Sequence, residues 1–587
     1  MSKNYYNSLA KKLDFYPFVL YNKNKKLIRG IYMKQFTKKP SLSDLTLRER
    51  IGQTAAPIMT RVLTAEDKAE YMRKNPYGFF WFSGNAKSDF VNVAYEVNED
   101  TVDDGFSDAL RKLLGEINDG LRIPVIPGMD AERGPKRVIC SLSELVTATG
   151  LAATGDEDVL FEAGACVGRE VKSCGVRWVW GPVADNAPPA CSVELGRTFS
   201  TNPDDIIRYS NAYARGLESE GVASTIKHFP GTDSRDYRDS HITPTAIMDS
   251  YDEWYERQGR VFEACAKAGA MSMMVGHSAF PAVDDASNGM LYVPSPASKK
   301  IITGILREKF GYDGVLVTDA VGMGAICDYF DSNIDMYAAI YNAGIDVILG
   351  PNDKNFIDMI EEAVLSGKIS EEVINNACRR VLDMKEKLGM FGEDLSFLNK
   401  ETEKAAVAKT TEFSKATANK VVTWVQNKGD LIPLSPEKIK KVAIVYVGYS
   451  KTVRGFFNPA VEEFEKRGAS VTIFTEVLSP KELYAIRDEY DLTMYFVHLA
   501  PHSPYGTGGF MEERALMFNY ITKIDRDKSI AIGAESPYVW FDWLPGADRF
   551  LNIYGWDIEV MRTLIIGLYG ECEFYGKCPM PLDPIRG

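Results

Sequence analysis

Residues 314–323 read Gly314-Val315-Leu316-Val317-Thr318-Asp319-Ala320-Val321-Gly322-Met323, an apolar run that ends in a carboxylate. An uninterrupted Val/Leu run is typical of a parallel strand that is buried on both faces. Short apolar runs of this kind give eight strand candidates, near residues 55–59, 78–82, 124–127, 176–180, 223–227, 271–275, 315–318 and 345–349. Because amphipathic stretches separate them, the pattern predicts parallel strands with helices on the outside.

Eight strand–helix units in roughly 350 residues predict a (β/α)₈ TIM-like barrel. We place this barrel at residues 41–392, after a polar and basic N-terminal extension over residues 1–40. The spacing of Thr46 and Glu49 is that of a capping box and predicts a helix start near the beginning of the barrel. An open, doubly wound sheet is the alternative, and the count of eight favours the barrel.

The pattern changes after residue 392. Residues 393–415 are predicted to be a linker with a charged helix, and residues 416–587 a smaller α/β sandwich domain with a mainly parallel sheet. Its five predicted strands lie near residues 442–447, 471–474, 493–497, 529–532 and 550–554.

Composition excludes several classes of protein. The chain of 587 residues is 45% hydrophobic and 25% charged, which are ordinary globular values, so extensive disorder is excluded. A net charge of −13 argues against a duplex-binding protein. Nine cysteines without a CxxC pair indicate reduced thiols rather than a disulfide framework. We find neither a signal peptide nor an apolar stretch long enough to span a membrane, and therefore expect a cytoplasmic protein that binds neither nucleic acid nor membrane.

Several predicted strands end in chemically active side chains. The third ends near Asp130, the fifth in Lys227-His228, the sixth in His277 and the seventh in Asp319. In a barrel all these ends lie on one rim, where barrel active sites are found. One polar strand end proves little, since loops face water, but several with Asp, Lys and His predict a site.

The longest polar loop follows the fifth strand and contains Asp239-Ser240-His241. A carboxylate two residues from an imidazole can orient the ring and stabilise imidazolium. Taken alone, the motif is more typical of a salt bridge in a solvated loop. Asp319 likewise has two interpretations, as a nucleophile toward an electrophilic carbon or as a helix cap.

Taken together, the motifs resemble glycoside hydrolase family 3, and most closely its bacterial exo-β-N-acetylglucosaminidase (β-hexosaminidase) branch. The resemblance covers roughly residues 41–395. It is carried by Gly128-Met129-Asp130-Ala131-Glu132-Arg133-Gly134, by Glu194-Leu195-Gly196-Arg197-Thr198-Phe199-Ser200, by Lys227-His228-Phe229-Pro230-Gly231, and by the run from Ile305-Leu306-Arg307 to Asp319.

The resemblance implies a role for each matching residue. Asp319 would be the catalytic nucleophile, His241 the acid/base, and Asp239 its dyad partner. The terminal sugar would be held by Asp130, Arg137, Arg197, Lys227 and His228. The implied activity is retaining, exo-acting hydrolysis of terminal β-linked N-acetylglucosamine, without cofactor or metal, by a monomer or homodimer whose partner is its carbohydrate substrate.

The chain departs from the branch at several positions. Thr232-Asp233 follows the Lys-His-Phe-Pro-Gly motif where the branch usually has His-Gly, and Arg133 replaces a glycine. Three alternatives stay open: a β-N-acetylglucosaminide phosphorylase, because a histidine acid/base does not repel phosphate; a β-glucosidase or β-xylosidase of the same family; and a non-catalytic carbohydrate-binding relative. The presence of Asp319, Asp239 and His241 together argues against the last of these.

Overall fold

The structure is a computed structural model. It describes residues 34–58, 68–81, 106–186, 196–233, 235–236, 238–393, 395–448, 454–498, 517, 521 and 526–582. Most of the predicted N-terminal extension, the Glu194-Leu195 pair and His502 lie outside these residues. Residues 33–587 form one compact unit.

Eight short parallel strands build the first half of this unit. They are β1 (Ala55–Ala56), β2 (Phe79–Trp81), β3 (Ile126–Met129), β4 (Trp178–Val179), β5 (Thr225–Phe229), β6 (Ser272–Val275), β7 (Val315–Thr318) and β8 (Ile348–Leu349). Each overlaps a predicted strand.

The eight strands close into a ring. Regular ladders join β2–β3–β4, β5–β6–β7 and β8–β1. Parallel bridges complete the circle: Ile58 with Trp81, Trp178 with Ala223, and Val317 with Val347. The predicted (β/α)₈ barrel is therefore confirmed, and the open sheet is excluded.

The barrel helices begin where the sequence provides caps. In α1 (Leu47–Gly52), the Thr46 side chain accepts a hydrogen bond from the Glu49 amide, and Glu49 reaches back to Thr46, so the predicted capping box is present. The other helices of this half are α2 (Lys68–Lys74), α3 (Phe106–Asp119), α4 (Ala148–Ala152), α5 (Glu157–Ser173), α6 (Pro203–Ser219), α7 (Tyr251–Trp254), α8 (Arg260–Lys267), α9 (Gly324–Cys327), α10 (Asn333–Ala343), α11 (Phe356–Leu365) and α12 (Glu371–Lys387). A π-helical segment, Lys300–Lys309, precedes β7.

The barrel interior is packed rather than open. Large side chains such as Phe79, Trp178 and Trp180 fill it, and the Trp178 indole donates to the hydroxyls of Thr225 and Ser272 at 2.8 and 2.9 Å. At the N-terminal end, buried Lys385 of α12 donates to the Gln53 side chain and to the carbonyl of Pro124, at 2.6 and 2.7 Å. Burial lowers the pKa of Lys385 to about 7.

The second half is a six-stranded sheet in the order β11-β10-β12-β13-β14-β9. Its strands are β9 (Thr423–Asn427), β10 (Lys441–Val447), β11 (Ser470–Phe474), β12 (Leu492–Val497), β13 (Ser529–Gly533) and β14 (Arg549–Asn552), and all are parallel except β9. The helices described over their full length in this half include α14 (Asn458–Lys466), α15 (Pro480–Glu489), α16 (Val539–Trp543) and α17 (Ile558–Leu568). The mainly parallel sheet is confirmed; the antiparallel edge strand β9 was not predicted.

A long helix, α13 (Lys400–Val421), begins in the predicted linker and continues past residue 415 into the predicted second domain. It packs against α5 of the barrel and α17 of the second half. Among the residues described, no helix is both long enough and apolar enough to cross a bilayer.

Candidate active site

Neighbouring strand ends bring the predicted site residues to one rim. Asp130 follows β3, Lys227 and His228 belong to β5, His277 lies two residues after β6, and Asp319 directly follows β7. The strands are parallel, so their carboxyl ends point the same way, as in barrel enzymes.

Asp319 is a half-buried and ionised carboxylate. Its Oδ1 accepts a hydrogen bond from the Ala320 amide at 2.7 Å, and its own amide donates to the Val275 carbonyl at 2.8 Å. Burial opposes ionisation, but the nearby charges of His228, His277 and His241 lower the pKa of Asp319 to about 2. A fixed carboxylate that is ionised at neutral pH meets the requirement for a nucleophile.

His277 lies beside this carboxylate and is buried, with 2% of its surface exposed. Its Nε2 is 3.0 Å from the Ala320 carbonyl. Because a carbonyl only accepts, Nε2 carries the proton. Burial lowers the pKa of His277, although Asp319 opposes this. His277 is thus a buried ring that borders the nucleophile.

His241 and Asp239 form the close couple that their spacing suggested. One oxygen, Asp239 Oδ1, accepts from both His241 Nδ1 at 2.7 Å and the His241 amide at 2.9 Å. The carboxylate is buried, while a quarter of the imidazole (26%) is exposed. Since Asp239 holds Nδ1, Nε2 is the nitrogen left for proton transfer.

The loop that carries this couple is anchored to the segment after Asp319. The Gly324 amide donates to the His241 carbonyl at 3.0 Å, and the Ala325 amide donates to the Ser240 carbonyl at 3.1 Å. A β-carbon on Gly324 would come within 2.0 Å of the Ile242 carbonyl oxygen, so the close approach requires glycine. Backbone hydrogen bonds therefore join the segments that carry the acid/base candidate and the nucleophile candidate.

Lys227 and Arg197 converge on a carboxylate that sequence reasoning did not assign, Glu132. Lys227 Nζ lies 2.6 Å from Glu132 Oε1 and 3.0 Å from Asp130 Oδ1. Arg197 binds Glu132 through two nitrogens at 2.8 and 2.9 Å. Although burial opposes it, the charges of Arg197 and Lys227 hold the pKa of Glu132 well below its ordinary value. The signal was available, since Glu132 lies in the turn already singled out for Asp130.

His228 has a carboxylate partner of its own, Asp185, which follows β4 and is fully buried. His228 Nδ1 is 2.7 Å from Asp185 Oδ2, and the His228 amide donates to Asp185 Oδ1 at 3.1 Å. Asp185 is the last residue of the segment Gly181-Pro182-Val183-Ala184-Asp185 that follows β4. It lies 43 residues before His228 in the chain, and no sequence pattern indicated that the two would pair.

Arg137 lies apart from the Lys227 network, at the contact with the second half. Its Nη2 is 3.3 Å from Glu535 Oε1, and Arg133 binds the same carboxylate oxygen. His498 is 3.4 Å from it. Although burial opposes it, Arg133, His498 and Arg137 hold the pKa of Glu535 well below its ordinary value. Glu535 thus ties the turn that carries Asp130 and Glu132 to the second half of the chain.

The arrangement suits substitution at an electrophilic carbon with proton transfer. The ionised Asp319 carboxylate can attack, and an imidazole oriented by Asp239 can donate and accept a proton. Asp130, Lys227 and His228 offer hydrogen-bond partners to a polyhydroxylated ligand.

Comparison with known proteins identifies the family. The sequence model of the glycosyl hydrolase family 3 N-terminal domain matches residues 46–384. The chain belongs to glycosyl hydrolase family 3. It is therefore a glycoside hydrolase, which confirms the predicted class of enzyme.

Relatives within the family extend over most of the chain. A "Beta-N-acetylglucosaminidase/beta-glucosidase" of Cellulomonas fimi is 25% identical over 480 residues, which are 78% of this chain and 84% of that protein. Two solved structures share the fold: a "Beta-glucoside phosphorylase BglX" (TM-score 0.78, 24% identity, covering 92% of this chain and 94% of that one), and a glycoside hydrolase family 3 β-N-acetylglucosaminidase from Paenibacillus sp. str. FPU-7 (TM-score 0.73, 22% identity, covering 92% and 99%).

Proposed function

We propose that this family 3 enzyme is a retaining, exo-acting β-N-acetylglucosaminidase with Asp319 as nucleophile and His241 as acid/base. The observation that carries the proposal is the pair of backbone hydrogen bonds from Gly324 and Ala325 to the His241 loop, at 3.0 and 3.1 Å. They hold the Asp239–His241 couple against the segment that begins with Asp319. A nucleophile and an acid on one framework are what cleavage of an acetal needs.

The reaction takes two steps. In the first, an Asp319 oxygen forms a bond to the anomeric carbon while the bond to the leaving oxygen breaks, and that oxygen takes the proton from His241. In the second, neutral His241 takes a proton from water, the water oxygen bonds to the anomeric carbon, and Asp319 departs. Each step inverts the carbon, so the overall result is retention.

The other groups hold reactants in place. Asp239 orients His241 and stabilises imidazolium during the first step. The terminal sugar is bound by Asp130, Lys227, His228 and Arg197. Glu132 pairs with Lys227 and Arg197, neutralises their charges and fixes their positions. His277 lies beside Asp319 and is fixed by its contact with the Ala320 carbonyl.

Two observations support a preference for the N-acetyl sugar: the motifs of the hexosaminidase branch, and the β-N-acetylglucosaminidase in the name of the Cellulomonas fimi relative. The same name also contains β-glucosidase. The test is a comparison of kcat/KM for 4-nitrophenyl β-glycosides of N-acetylglucosamine, glucose and xylose. We expect the N-acetylglucosaminide to be cleaved best. A higher value for the glucoside or xyloside would reassign the sugar and leave the reaction type intact.

The covalent intermediate has its own test. A slowly turned-over fluorosugar should label one peptide, and fragmentation should place the sugar on Asp319. Labelling of another carboxylate would refute the nucleophile assignment.

Phosphorolysis is the second candidate. The observation that favours it is the acid/base itself, because an imidazole does not repel an incoming phosphate anion as a carboxylate would. Product analysis with and without inorganic phosphate separates the two reactions. A sugar 1-phosphate that accumulates only with phosphate, together with a faster rate, would make the enzyme a phosphorylase.

A further inference from the structure

Exposed apolar side chains cluster beside the His241 loop. Among the residues that the structure describes, eight large apolar side chains are exposed, and four of them belong to the loops after β5 and β6: Ile242 (49%), Met248 (58%), Met290 (89%) and Tyr292 (42%). Single exposed apolar residues need no explanation, whereas a cluster marks an interaction site.

Three of these side chains, Met248, Met290 and Tyr292, line one cleft of about 680 Å³. This volume lies within the range of small-molecule sites. The cleft is also lined by parts of the same two loops, including Pro244, Ala279 and Leu291.

The floor of the cleft is ordered by the backbone. The two loops pair through a parallel bridge between Ala246 and Ala279. The Ala279 amide donates to the Thr245 carbonyl at 2.9 Å, and the Ile247 amide donates to the Ala279 carbonyl at 2.8 Å. The second loop forms a small hairpin with Ser287 opposite Tyr292. The backbone that carries these apolar side chains is therefore ordered.

The segments that line this cleft lie next to His241 and His277 in the chain. Consecutive Cα atoms are about 3.8 Å apart, so the Cα of Ala279 lies at most about 8 Å from that of His277, and the Cα of Pro244 at most about 11 Å from that of His241. A leaving group whose oxygen is protonated by His241 is thus within reach of the cleft.

The charged groups of the cleft are paired with one another and with neighbouring Asp249. Arg235 binds Asp233 and Asp249 at 3.3 and 2.9 Å, and Arg238 binds Asp236 at 2.6 Å. With opposite charges compensated in the loop, the cleft favours neither a strongly anionic nor a strongly cationic occupant. A neutral occupant with an apolar face matches both the paired charges and the exposed Met and Tyr side chains.

We propose that this cleft binds the leaving-group part of the substrate, a neutral aglycone with an apolar face, and that Met290, Tyr292 and Met248 set the preference for it. The proposal rests on the proposed role of His241, because that role decides on which side the leaving group lies. Alkyl chains, aryl rings and the C–H-rich face of a second sugar share this chemistry.

Binding of uncleaved analogues tests the cleft separately from catalysis. The probes are octyl and methyl 1-thio-β-glycosides of the sugar that the enzyme prefers, or of N-acetylglucosamine if no glycoside is cleaved, with dissociation constants measured by calorimetry. We expect the octyl compound to bind at least about tenfold more tightly, since burial of a few methylenes suffices for that ratio. The double variant Met290→Ala/Tyr292→Ala should bring the ratio close to one.

The matched control is Leu365→Ala, which removes an exposed apolar side chain (76%) at the end of α11. It should keep the wild-type ratio. The proposal would be overturned if the wild type bound both thioglycosides equally, or if the double variant kept the wild-type ratio. The exposed apolar surface would then be better explained as a contact site for a protein partner. Failure of the wild type to cleave any nitrophenyl glycoside would instead contradict the proposed function, and the binding ratio would still decide the cleft.

Discussion

Two Asp–His couples lie on the same rim, and they are built alike. In each, one carboxylate accepts hydrogen bonds from both the backbone amide and Nδ1 of its histidine, with Nδ1–Oδ distances of 2.7 Å in both. They differ in where the carboxylate comes from. Asp185 lies 43 residues before His228, after a different strand, whereas Asp239 lies two residues before His241 in one loop.

The two histidines also differ in exposure, as expected if His228 is fixed in place and His241 must meet substrate and water. Asp185 is fully buried and 15% of the His228 side chain is exposed, whereas 26% of the His241 side chain is exposed. Both histidines lower the pKa of Asp319. We therefore expect His228 to bind and position, and His241 to transfer protons. Four predictions test this division, from the largest effect to the smallest.

Replacement of Asp319, the carboxylate that both Asp–His couples influence, should have the largest effect. Asp319→Asn should lower kcat by more than about 10³, because covalent catalysis is lost, while thermal unfolding shows a folded protein. Asp328→Asn, a change of an exposed aspartate nine residues later, is the control and should keep full activity. A similar loss in both variants would contradict the assignment.

Removal of the two histidines should separate their roles. His241→Ala should lower kcat/KM for alkyl glycosides by about 10²–10⁴ and affect nitrophenyl glycosides far less, since nitrophenolate leaves without a proton. His228→Ala should lower both classes by a similar factor. Equal damage to both substrate classes in His241→Ala would mean that this residue is not the acid.

The carboxylates should differ in their effect on stability. Asp185→Asn should lower the free energy of unfolding by about 1–3 kcal/mol, because it disturbs hydrogen bonds of a fully buried group. Asp239→Asn, in a loop beside a partly exposed ring, should cost less. Urea denaturation measures both, and a larger loss in Asp239→Asn would reverse the comparison.

The variants Asp239→Asn and Asp185→Asn should also differ in the pH dependence of activity. Asp239→Asn removes the negative charge beside His241 Nδ1, so the basic limb of kcat/KM should move to lower pH. Asp185→Asn should leave that limb in place. Because the pKa of Asp319 is about 2, the acid limb of the pH profile should lie well below neutral pH in both variants. An unmoved basic limb in Asp239→Asn would mean that Asp239 takes no part in proton transfer.

Much of the barrel was predictable because each strand is a short apolar run with its own signal. The prediction for residues 315–318 coincides with β7, and the others overlap the observed strands. The edge strand β9 was missed because Thr423-Trp424-Val425-Gln426-Asn427 is half-exposed and mixes polar with apolar residues. Such a strand is recognised only through its antiparallel partner, β14.

The sequence by itself determined the features that depend on near neighbours in the chain: the strand runs, the Thr46–Glu49 cap and the Asp239–His241 couple. These arise from local geometry, so a spacing of two or three residues is enough to specify them. Only the tertiary structure decided the partners of Lys227, His228 and Arg133, which are Glu132, Asp185 and Glu535. Arg133 and Glu535 are 402 residues apart, and no local pattern records a contact that exists only because two halves of the chain pack together.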